Sequence, residues 1–314
     1  MPELPEVQTT VNGLKKVLPG LKILDVWTDL AVKKPSLRHF DDTIKNLNFF
    51  NIFKKEVIGS KVVSAERRAK NILINLSNEK TILIHLKMTG HLLYGKYKKT
   101  TAMAGQVKNE WEPAEDGPLN DPYNRFIHVV FSFSNGKHLA FCDSRKFGKV
   151  TLIKEGELKT TKHLKDIGPE PLDRNFDLKK FKNRIKERPT GRIKNVLMDQ
   201  NIIAGIGNIY SDEMLWMSGI HPEEKVRNIT DEKFKKMFDA MKEVLKKGIS
   251  LGGDSMSDYR NILGKRGEFQ LHHRAYQRKG EKCSKPGCKG VIMRIVVGGR
   301  SAHFCPVHQK LWKH

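Results

Sequence analysis

The first half of the chain combines one helical period with many short strand-like segments. Between residues 6 and 17, apolar side chains recur at helical spacing at Val7, Val11, Leu14 and Val17. From residue 22 onward, short runs of β-branched and apolar residues are separated by turn residues, which is typical of β-strands. Strands are predicted at residues 22–28, 62–66, 71–76, 81–86, 125–133, 138–142 and 149–153. Many short strands with tight turns predict a β-sandwich or a barrel.

The pattern becomes helical after residue 171. Residues 231–247 carry one apolar face, with Thr230 as a capping residue and Gly248 as a stop signal. Shorter helices are predicted at residues 193–199 and 208–217. Between residues 291 and 300, two strand-like runs flank a Gly-Gly turn, which predicts a β-ribbon. The fold class is therefore predicted to be α+β, with an N-terminal β-sandwich or barrel and its flanking helices, followed by a helical region and a ribbon.

Residues 95–122 interrupt the strand pattern of the first half. This segment is poor in apolar residues and rich in Lys, Gly, Pro and Glu. A stretch of this composition and length between strands predicts a surface insertion in the β-sandwich.

Basic residues outnumber acidic residues by a wide margin. Lys and Arg total 58 and Asp and Glu total 35, which is a formal net charge of +23 at pH 7. This surplus favours a polyanionic partner, above all nucleic acid, while a general surplus of surface Lys and Arg is the simpler alternative. No apolar run approaches the roughly 20 residues of a membrane-spanning helix, and the N-terminus carries no signal-peptide pattern. A cytoplasmic protein is therefore expected.

The C-terminal cysteines have the spacing of a metal site. Cys283 and Cys288 form one short-spaced pair, and Cys305 and His308 form a second. Thiolate and imidazole groups in two such pairs suit a tetrahedral Zn²⁺, and four protein ligands leave no open position for catalysis. One structural zinc ion is therefore predicted, with free thiols as the alternative and His303 as a less favoured ligand. Cys142 stands alone in an apolar stretch and is expected to be a buried core residue.

Two further features suit contact with phosphate. The sequence AGIGN at residues 204–208 precedes a predicted helix, whose first N–H groups can bind an anion, although such a turn is often only a tight loop. Arg300 follows the Gly-Gly turn of the predicted ribbon, where its guanidinium can contact phosphate or remain solvated.

Several longer motifs resemble those of the formamidopyrimidine-DNA glycosylase and endonuclease VIII family. They occur in family order and span nearly the whole chain. Leu4, Met88, Arg145 and Phe147 resemble the formamidopyrimidine branch more than the endonuclease VIII branch. The motifs are MPELPEV (1–7), RRAK (67–70), HLKMTG (85–90), DSRKFG (143–148), GPEPL (168–172), AGIGNIYSDE (204–213) and GRSAHFCPVH (299–308).

The resemblance implies a bifunctional DNA glycosylase and AP lyase of base excision repair. Such enzymes remove 8-oxoguanine and formamidopyrimidines from damaged double-stranded DNA and then cut the strand by β,δ-elimination. The implied domains are a catalytic β-sandwich (1–160, with 95–122 as an insertion), a helix–two-turn–helix DNA-binding domain (161–265) and a zinc-ribbon DNA-binding domain (266–314). A monomer in the cytoplasm, associated with the nucleoid, is expected.

The resemblance also implies roles for individual residues. Removal of Met1 would free the secondary amine of Pro2, and because an α-amino group has a pKa of about 7.7–8.0, a useful fraction is neutral near pH 7. That amine is expected to form a Schiff base with the sugar, and Glu3 to act as general acid. Lys70 and Arg300 are implied in the elimination steps and Glu6 in orienting the site. The implied DNA contacts are His85, His128, Lys194, Asn208 and Arg300 to phosphates, and Met88, Arg145 and Phe147 at the gap left by the extruded base.

Departures from the family pattern leave alternatives open. Four residues rather than two separate Cys283 from Cys288, the last ligand is His308 rather than Cys, and Lys87 stands where the family often has Gly. An endonuclease VIII-like enzyme for oxidised pyrimidines is the nearest alternative function. A non-catalytic, zinc-containing protein that binds DNA lesions is the alternative from a different class.

Overall fold

A computed structural model describes residues 1–33, 40–100 and 110–312. The α-helices are α1 (Leu4–Val17), α2 (Leu47–Val57), α3 (Leu178–Lys186), α4 (Ile193–Met198), α5 (Asn208–Ser218) and α6 (Asp231–Ser250). The first strands are β1 (Ile23–Thr28), β2 (Val62–Arg68), β3 (Asn71–Leu76), β4 (Lys80–His85), β5 (His91–Gly95) and β6 (Tyr97–Lys99). The remaining strands are β7 (Trp111–Pro113), β8 (Ile127–Phe133), β9 (His138–Cys142), β10 (Lys149–Lys154), β11 (Met293–Val297) and β12 (Arg300–Phe304).

The first compact unit consists of residues Met1–Lys165 and Gly252–Glu268. It contains two four-stranded antiparallel sheets with the strand orders β1-β8-β9-β5 and β10-β4-β3-β2. Their inward side chains and those of α1 and α2 form one apolar core, which includes Val11, Phe53, Ile72, Phe131 and Phe141. The predicted β-sandwich with flanking helices is confirmed, because alternate residues of both sheets share this core.

Helix α1 packs its apolar face against the sandwich. Val7, Val11 and Leu14 are fully buried. Pro5 lies in the first turn, where a backbone N–H has no acceptor within the helix, so the lack of an N–H in proline costs nothing there. The helix begins directly after Glu3, two residues before the predicted start. The N-terminal residues are therefore held against the sandwich by the same helix that buries its apolar face.

Two helices were not predicted from the sequence. Asn46 caps α2, since its side-chain oxygen accepts hydrogen bonds from the N–H groups of Asn48 and Phe49. Asp177 caps α3 in the same way through the N–H of Lys180. Both caps are local signals of a helix start.

Part of the 95–122 segment contributes to the core instead of lying on the surface. Strands β6 and β7 pair with each other, and Tyr97 and Trp111 are buried among apolar side chains of β5, β8 and β9. Residues 101–109 lie outside the described part of the chain. Because the segment as a whole is poor in apolar residues, the sequence analysis did not recognise Tyr97 and Trp111 as core residues.

The second compact unit consists of residues Asp166–Leu251 and Phe269–His314. Helix α5 packs against α6 and against ribbon strand β12. Helix α6 does not stop at Gly248: the glycine lies inside it and lets the Tyr210 ring approach, since a Cβ there would lie 2.6 Å from the ring. The two compact units differ from the three domains implied by the resemblance, 1–160, 161–265 and 266–314, because residues 252–268 return to the first unit. None of the helices in the described ranges is long and apolar enough to cross a membrane.

Candidate functional site

The N-terminal residues are buried and held by Glu6. Pro2 is buried and Glu3 is 2% exposed. One carboxylate oxygen of Glu6 accepts the backbone N–H of Glu3 at 2.7 Å, and the other accepts the N–H of Asp254 at 2.8 Å. The Tyr259 hydroxyl donates to the backbone oxygen of Glu6 at 3.0 Å. Glu6 therefore connects the chain start to the returning segment 252–268, which fits the predicted orienting role.

Lys70 occupies the two-residue turn between β2 and β3. The preceding Ala69 has a φ of +52°, a left-handed conformation that such a turn requires. Arg67 braces this turn against α1, because its Nε donates to Gln8 at 2.8 Å and its Nη1 donates to the Ala69 oxygen at 2.9 Å. Lys70 itself is 6% exposed. The turn that carries Lys70 is thus tied to the helix that carries Glu3.

His85 ends β4 at the same end of the sheet as Lys70. It lies opposite Asn71 in β3 and opposite Lys149 in β10. Burial, together with the nearby charges of Lys87, Lys70 and Lys149, lowers the pKa of His85 to about 3. The His85 Nδ1 accepts the N–H of Lys87 at 3.0 Å, so the neutral ring carries its proton on Nε2. His85 can therefore donate one hydrogen bond to an anion without being protonated.

Asp143 joins the two loops that carry Met88, Arg145 and Phe147. Its buried carboxylate accepts the Thr89 hydroxyl on one loop, and the N–H of Gly148 at 2.6 Å on the other. Gly148 leaves room for this arrangement, because a Cβ there would lie 2.2 Å from the Phe141 ring. The three predicted residues are consequently presented by loops with a common buried anchor.

Arg145 and Phe147 are exposed together at the surface of the second loop. The Arg145 guanidinium lies 4.8 Å from the centre of the Phe147 ring, and Phe147 is 45% exposed. Met88 is partly buried. An exposed aromatic ring paired with a planar cation suits stacking against bases.

Lys45 is a buried cation that the sequence analysis missed. Its ammonium donates to the backbone oxygen of Lys146 at 2.7 Å, inside the Arg145–Phe147 loop. Burial lowers the pKa of the Lys45 ammonium, the charge of Asp143 opposes this shift, and the charges of Lys87 and Lys149 add to it. The resulting pKa is about 8. Lys45 precedes the α2 cap in a polar stretch, and nothing local distinguishes it from the other lysines.

His128 lies in β8 and is oriented by a carboxylate. Its Nδ1 lies 2.9 and 3.0 Å from the two oxygens of Asp29, while its buried Nε2 has no hydrogen-bond partner among the residues described. With Nδ1–H donating to Asp29, Nε2 becomes a donor only when the ring is protonated. His128 thus differs from His85, which donates as a neutral ring.

In the second unit, the loop before α5 is shaped by one glutamine. Gln200 donates to the backbone oxygens of Met198 and Ile206 at 2.9 and 2.7 Å, and accepts the N–H of Gly205 at 2.8 Å. Asn208 is the first residue of α5, and its side-chain oxygen is buried without a hydrogen-bond partner in the described ranges. The donors that suit an anion here are the N–H groups at the start of α5 and the amide NH2 of Asn208, whereas the unpartnered amide oxygen is an acceptor.

Lys194 is fully buried and does not face solvent. Its ammonium lies 2.6 Å from Asp212 and 3.2 Å from the Ser211 hydroxyl, and it also reaches the backbone oxygen of Asn208 at 3.4 Å. This placement differs from the direct phosphate contact that the resemblance implied. Lys194 instead holds the first turn of α5.

Asp212 connects α5 to α4 and to β12. One of its oxygens accepts from Lys194 in α4, and the other accepts from His303 in β12, through the backbone N–H at 2.9 Å and Nδ1 at 3.0 Å. His303 is therefore engaged by Asp212 and does not belong to the cysteine cluster. Asp212 lies inside the AGIGNIYSDE motif, but its partners are distant in sequence.

Replacement of Asp212 tests this connection. Asp212→Asn leaves the Lys194 ammonium buried without its counter-charge, so we expect the free energy of unfolding to fall by about 3–5 kcal/mol. Denaturant unfolding followed by circular dichroism measures the change. Asp231→Asn, at an exposed ion pair with Lys182, is the matched control and should have a much smaller effect. Equal losses in the two variants would contradict the assignment.

Arg300 lies directly after the tight turn of the ribbon. Val297 pairs with Arg300, and Gly298 and Gly299 between them both have positive φ, at +56° and +75°. A Cβ on Gly298 would lie 2.2 Å from the Asn195 side chain, so the turn packs closely against α4. The exposed Arg300 is thereby placed at the tip of a ribbon that is anchored at its turn.

The predicted metal ligands lie together. The side-chain donor atoms of Cys283, Cys288, Cys305 and His308 all lie within 4.8 Å of one another. The His308 Nδ1 lies 3.6 Å from the Cys283 Sγ, and its Nε2 lies 3.1 Å from the backbone oxygen of Trp216. That second contact keeps the proton on Nε2 and leaves Nδ1 free to bind a metal. Three thiols and one imidazole in this arrangement suit a tetrahedral metal ion with no open position.

Loss of one ligand tests the metal centre. Cys305→Ser should reduce bound metal from about one ion per chain to almost none and speed hydrogen exchange in the ribbon, because the metal joins its two ligand pairs. Elemental analysis measures the metal, and amide hydrogen exchange across residues 283–308 measures the ribbon. Cys142→Ala, a buried cysteine of the first unit, is the control and should retain the metal. Full metal content in Cys305→Ser would contradict this ligand set.

Comparison with known proteins identifies what the chain is similar to. Residues 1–150 match the family profile described as the formamidopyrimidine-DNA glycosylase N-terminal domain, and residues 167–260 match the formamidopyrimidine-DNA glycosylase H2TH domain. A formamidopyrimidine-DNA glycosylase of Pelotomaculum thermopropionicum is 36% identical, over 99% of this chain and 100% of the relative. One of Herpetosiphon aurantiacus is 35% identical, over 98% of this chain and 100% of the relative.

Solved structures extend the likeness to the whole fold. Lactococcus lactis Fpg in complex with DNA that contains an abasic site has a TM-score of 0.79 at 31% identity, over 98% of this chain and 99% of that chain. MutM in complex with DNA that contains carbocyclic 8-oxo-G has a TM-score of 0.78 at 31% identity, over 98% of this chain and 100% of that chain.

Proposed function

The chain belongs to the formamidopyrimidine-DNA glycosylase family, and on this premise we propose that it is a bifunctional DNA glycosylase and AP lyase for oxidised purines. Its substrates are 8-oxoguanine and formamidopyrimidines in double-stranded DNA. The observation that carries the proposal is the buried Pro2-Glu3 pair, which Glu6 anchors at the start of the helix to which the Lys70 turn is tied. The solved relatives bound to DNA with an 8-oxo-G analogue or an abasic site support the substrate class.

Base removal begins at the N-terminus. After Met1 is removed, the neutral Pro2 nitrogen attacks C1′ of the damaged nucleotide and the N–C1′ bond forms. The bond from C1′ to the base breaks, and the base leaves with the bonding electron pair and takes up the proton that the proline nitrogen loses. Glu3 donates a proton to the sugar ring oxygen, which opens the ring and yields an iminium ion. Glu6 holds the Glu3 backbone during this step through the hydrogen bond at 2.7 Å.

Strand cleavage follows from the iminium ion. The positive nitrogen acidifies the C2′ hydrogen, and its removal expels the 3′-phosphate by β-elimination. A second elimination expels the 5′-phosphate, and water then releases the sugar remnant and regenerates the Pro2 amine. Lys70 assists the first elimination as a nearby cation, and Arg300 assists the second by binding a departing phosphate.

Backbone phosphates are bound by donors from both units. His85 donates through Nε2 as a neutral ring, His128 faces a phosphate with the Nε2 of a ring that Asp29 orients, and Asn208 and Arg300 donate from the second unit. The buried Lys194 positions Asn208 through its backbone oxygen. The net charge of +23 supports such a partner, and binding should weaken as salt rises because counterions are released.

Met88, Arg145 and Phe147 occupy the space that an extruded base leaves. Extrusion costs a few kcal/mol, which stacking of an inserted ring and bonds from a guanidinium to the unpaired cytosine partly offset. The exposed Phe147 ring and its adjacent Arg145 suit these tasks. We further propose that the bound metal is one structural Zn²⁺, which stabilises the ribbon that carries Arg300, and that the protein acts as a monomer.

A cleavage assay with defined duplexes tests the proposal. Under single-turnover conditions, the protein should cut a strand with 8-oxoguanine opposite cytosine and leave both ends phosphorylated. Preferential cleavage at thymine glycol would instead favour an endonuclease VIII-like enzyme. Tight binding to the lesion without any cleavage would favour a non-catalytic DNA-binding protein.

A further inference from the structure

A salt bridge between a buried arginine and a partly exposed aspartate links residues 95–122 to the returning segment 252–268. Arg260 is 2% exposed, and its Nε and Nη2 lie 3.0 and 3.1 Å from the two oxygens of Asp121. The same guanidinium lies 4.7 Å from the centre of the Tyr123 ring. A two-point bond with ring stacking fixes the orientation of the guanidinium as well as its position.

Close backbone packing forms a second link between the same segments. Gly264 has a φ of +77°, and a Cβ there would lie 2.5 Å from the oxygen of Pro118 and 2.8 Å from the nitrogen of Leu119. Backbone atoms cannot move aside as a flexible side chain can. The two segments therefore fit each other only with glycine at this position.

The returning segment in turn holds the candidate catalytic residues. Asp254 and Tyr259 both bond to Glu6, and a Cβ on Gly253 would lie 2.9 Å from the Glu6 side chain. Further along, the Ile262 side chain packs against Gly13 of α1, where a Cβ would lie 2.7 Å away. A displacement of segment 252–268 would therefore remove a hydrogen bond from the carboxylate that holds Glu3.

We propose that residues 110–123 act as a brace, which holds segment 252–268 against Glu6 and so orients Pro2 and Glu3. Asp121 and Arg260 are the positioning residues of this brace, and neither touches the reacting atoms. The inference rests on the proposed function, and it assigns a role to a segment whose composition predicted only a surface insertion.

The pKa of Asp121 indicates that this residue and Arg260 form an ion pair. Burial alone would raise the pKa of Asp121, but the hydrogen-bonded guanidinium of Arg260, the N–H of Tyr123 and the charge of Arg266 outweigh it, so the pKa is lowered. The carboxylate is therefore ionised at neutral pH. Without it, the buried Arg260 would lose its ion-pair partner.

Asp121→Asn tests the brace by two independent measurements. We expect faster hydrogen exchange at the Asp254 amide, and a roughly tenfold slower single-turnover excision of 8-oxoguanine with nearly unchanged DNA affinity, because orientation and not binding is lost. Glu115→Gln, at the exposed ion pair with Lys96 in the same segment, is the matched control and should match the wild type. Asp121→Glu keeps the carboxylate and should recover most of the rate.

Other outcomes are equally decisive. Wild-type exchange and wild-type excision in Asp121→Asn would overturn the brace, as would a loss of rate that merely follows the unfolded fraction. If Asp121→Asn does not fold, Tyr123→Leu removes the stacked ring at a residue that is 45% exposed and should show both effects in weaker form. Absence of cleavage by the wild type would refute the proposed function, whereas the exchange measurement would still judge the brace.

Discussion

Insertion of one lysine between Met1 and Pro2 should abolish cleavage at 8-oxoguanine while DNA binding stays close to that of the wild type. The insertion converts the proline nitrogen into an amide, which has no free electron pair to attack C1′. Excision should fall by at least about 10³-fold, equivalent to about 4 kcal/mol of transition-state stabilisation. Gel assays under single-turnover conditions measure excision, and borohydride trapping measures the covalent intermediate.

Two further variants control for the N-terminal change. Pro2→Gly keeps an α-amino group at the same position and should retain part of the trapping. A lysine added after the last residue adds the same charge and should have no effect. Full-speed cleavage by the protein with the inserted lysine would refute the Schiff-base mechanism, whatever the other variants do.

Glu3→Gln is expected to have the second largest effect on catalysis. The amide keeps the size of the side chain and cannot donate a carboxylic proton to the sugar ring oxygen. General acid catalysis by one group contributes about 10²–10⁴-fold, so excision of 8-oxoguanine should fall within this range. Cleavage of a preformed abasic site should fall less, since its sugar is already open for part of the time. Single-turnover rates on the two duplexes measure the difference.

A surface variant separates this effect from a general loss of charge. Glu232→Gln, at an exposed ion pair with Lys236 in α6, should cleave both duplexes at the wild-type rate. An equal loss on both substrates in Glu3→Gln would show that the residue acts mainly on the fold of the N-terminus. Unchanged excision would exclude Glu3 as the proton donor.

Local patterns predicted most of the elements. Strands β3 and β9 have the predicted bounds, and α4, α5 and β10 differ by a single residue at one end. The ribbon and its four candidate metal ligands were predicted equally well, because their spacing is short and each pair lies on one turn. These features depend on neighbours in sequence, which periodicity and spacing report directly.

Contacts between distant residues could not be predicted in this way. The family resemblance implied that Lys194 contacts a phosphate, but the structure places it against Asp212, 18 residues further along. Arg260 and Asp121 are 139 residues apart, and nothing in either local sequence marks them as partners. The pairing of a buried charge depends on which elements pack together, and a single sequence carries no local signal for it.

The sequence by itself determined the β-sandwich, the ribbon, the cluster of three cysteines and one histidine, and the family resemblance that singles out Pro2 and Glu3. The tertiary structure alone decided that residues 252–268 return to the first unit, that Glu6 joins them to Glu3, and that Lys194 is a buried positioning group. The reason is physical. Secondary structure and short-spaced ligand pairs are set by interactions over a few residues, whereas burial and ion pairing are set by packing between segments far apart in the chain.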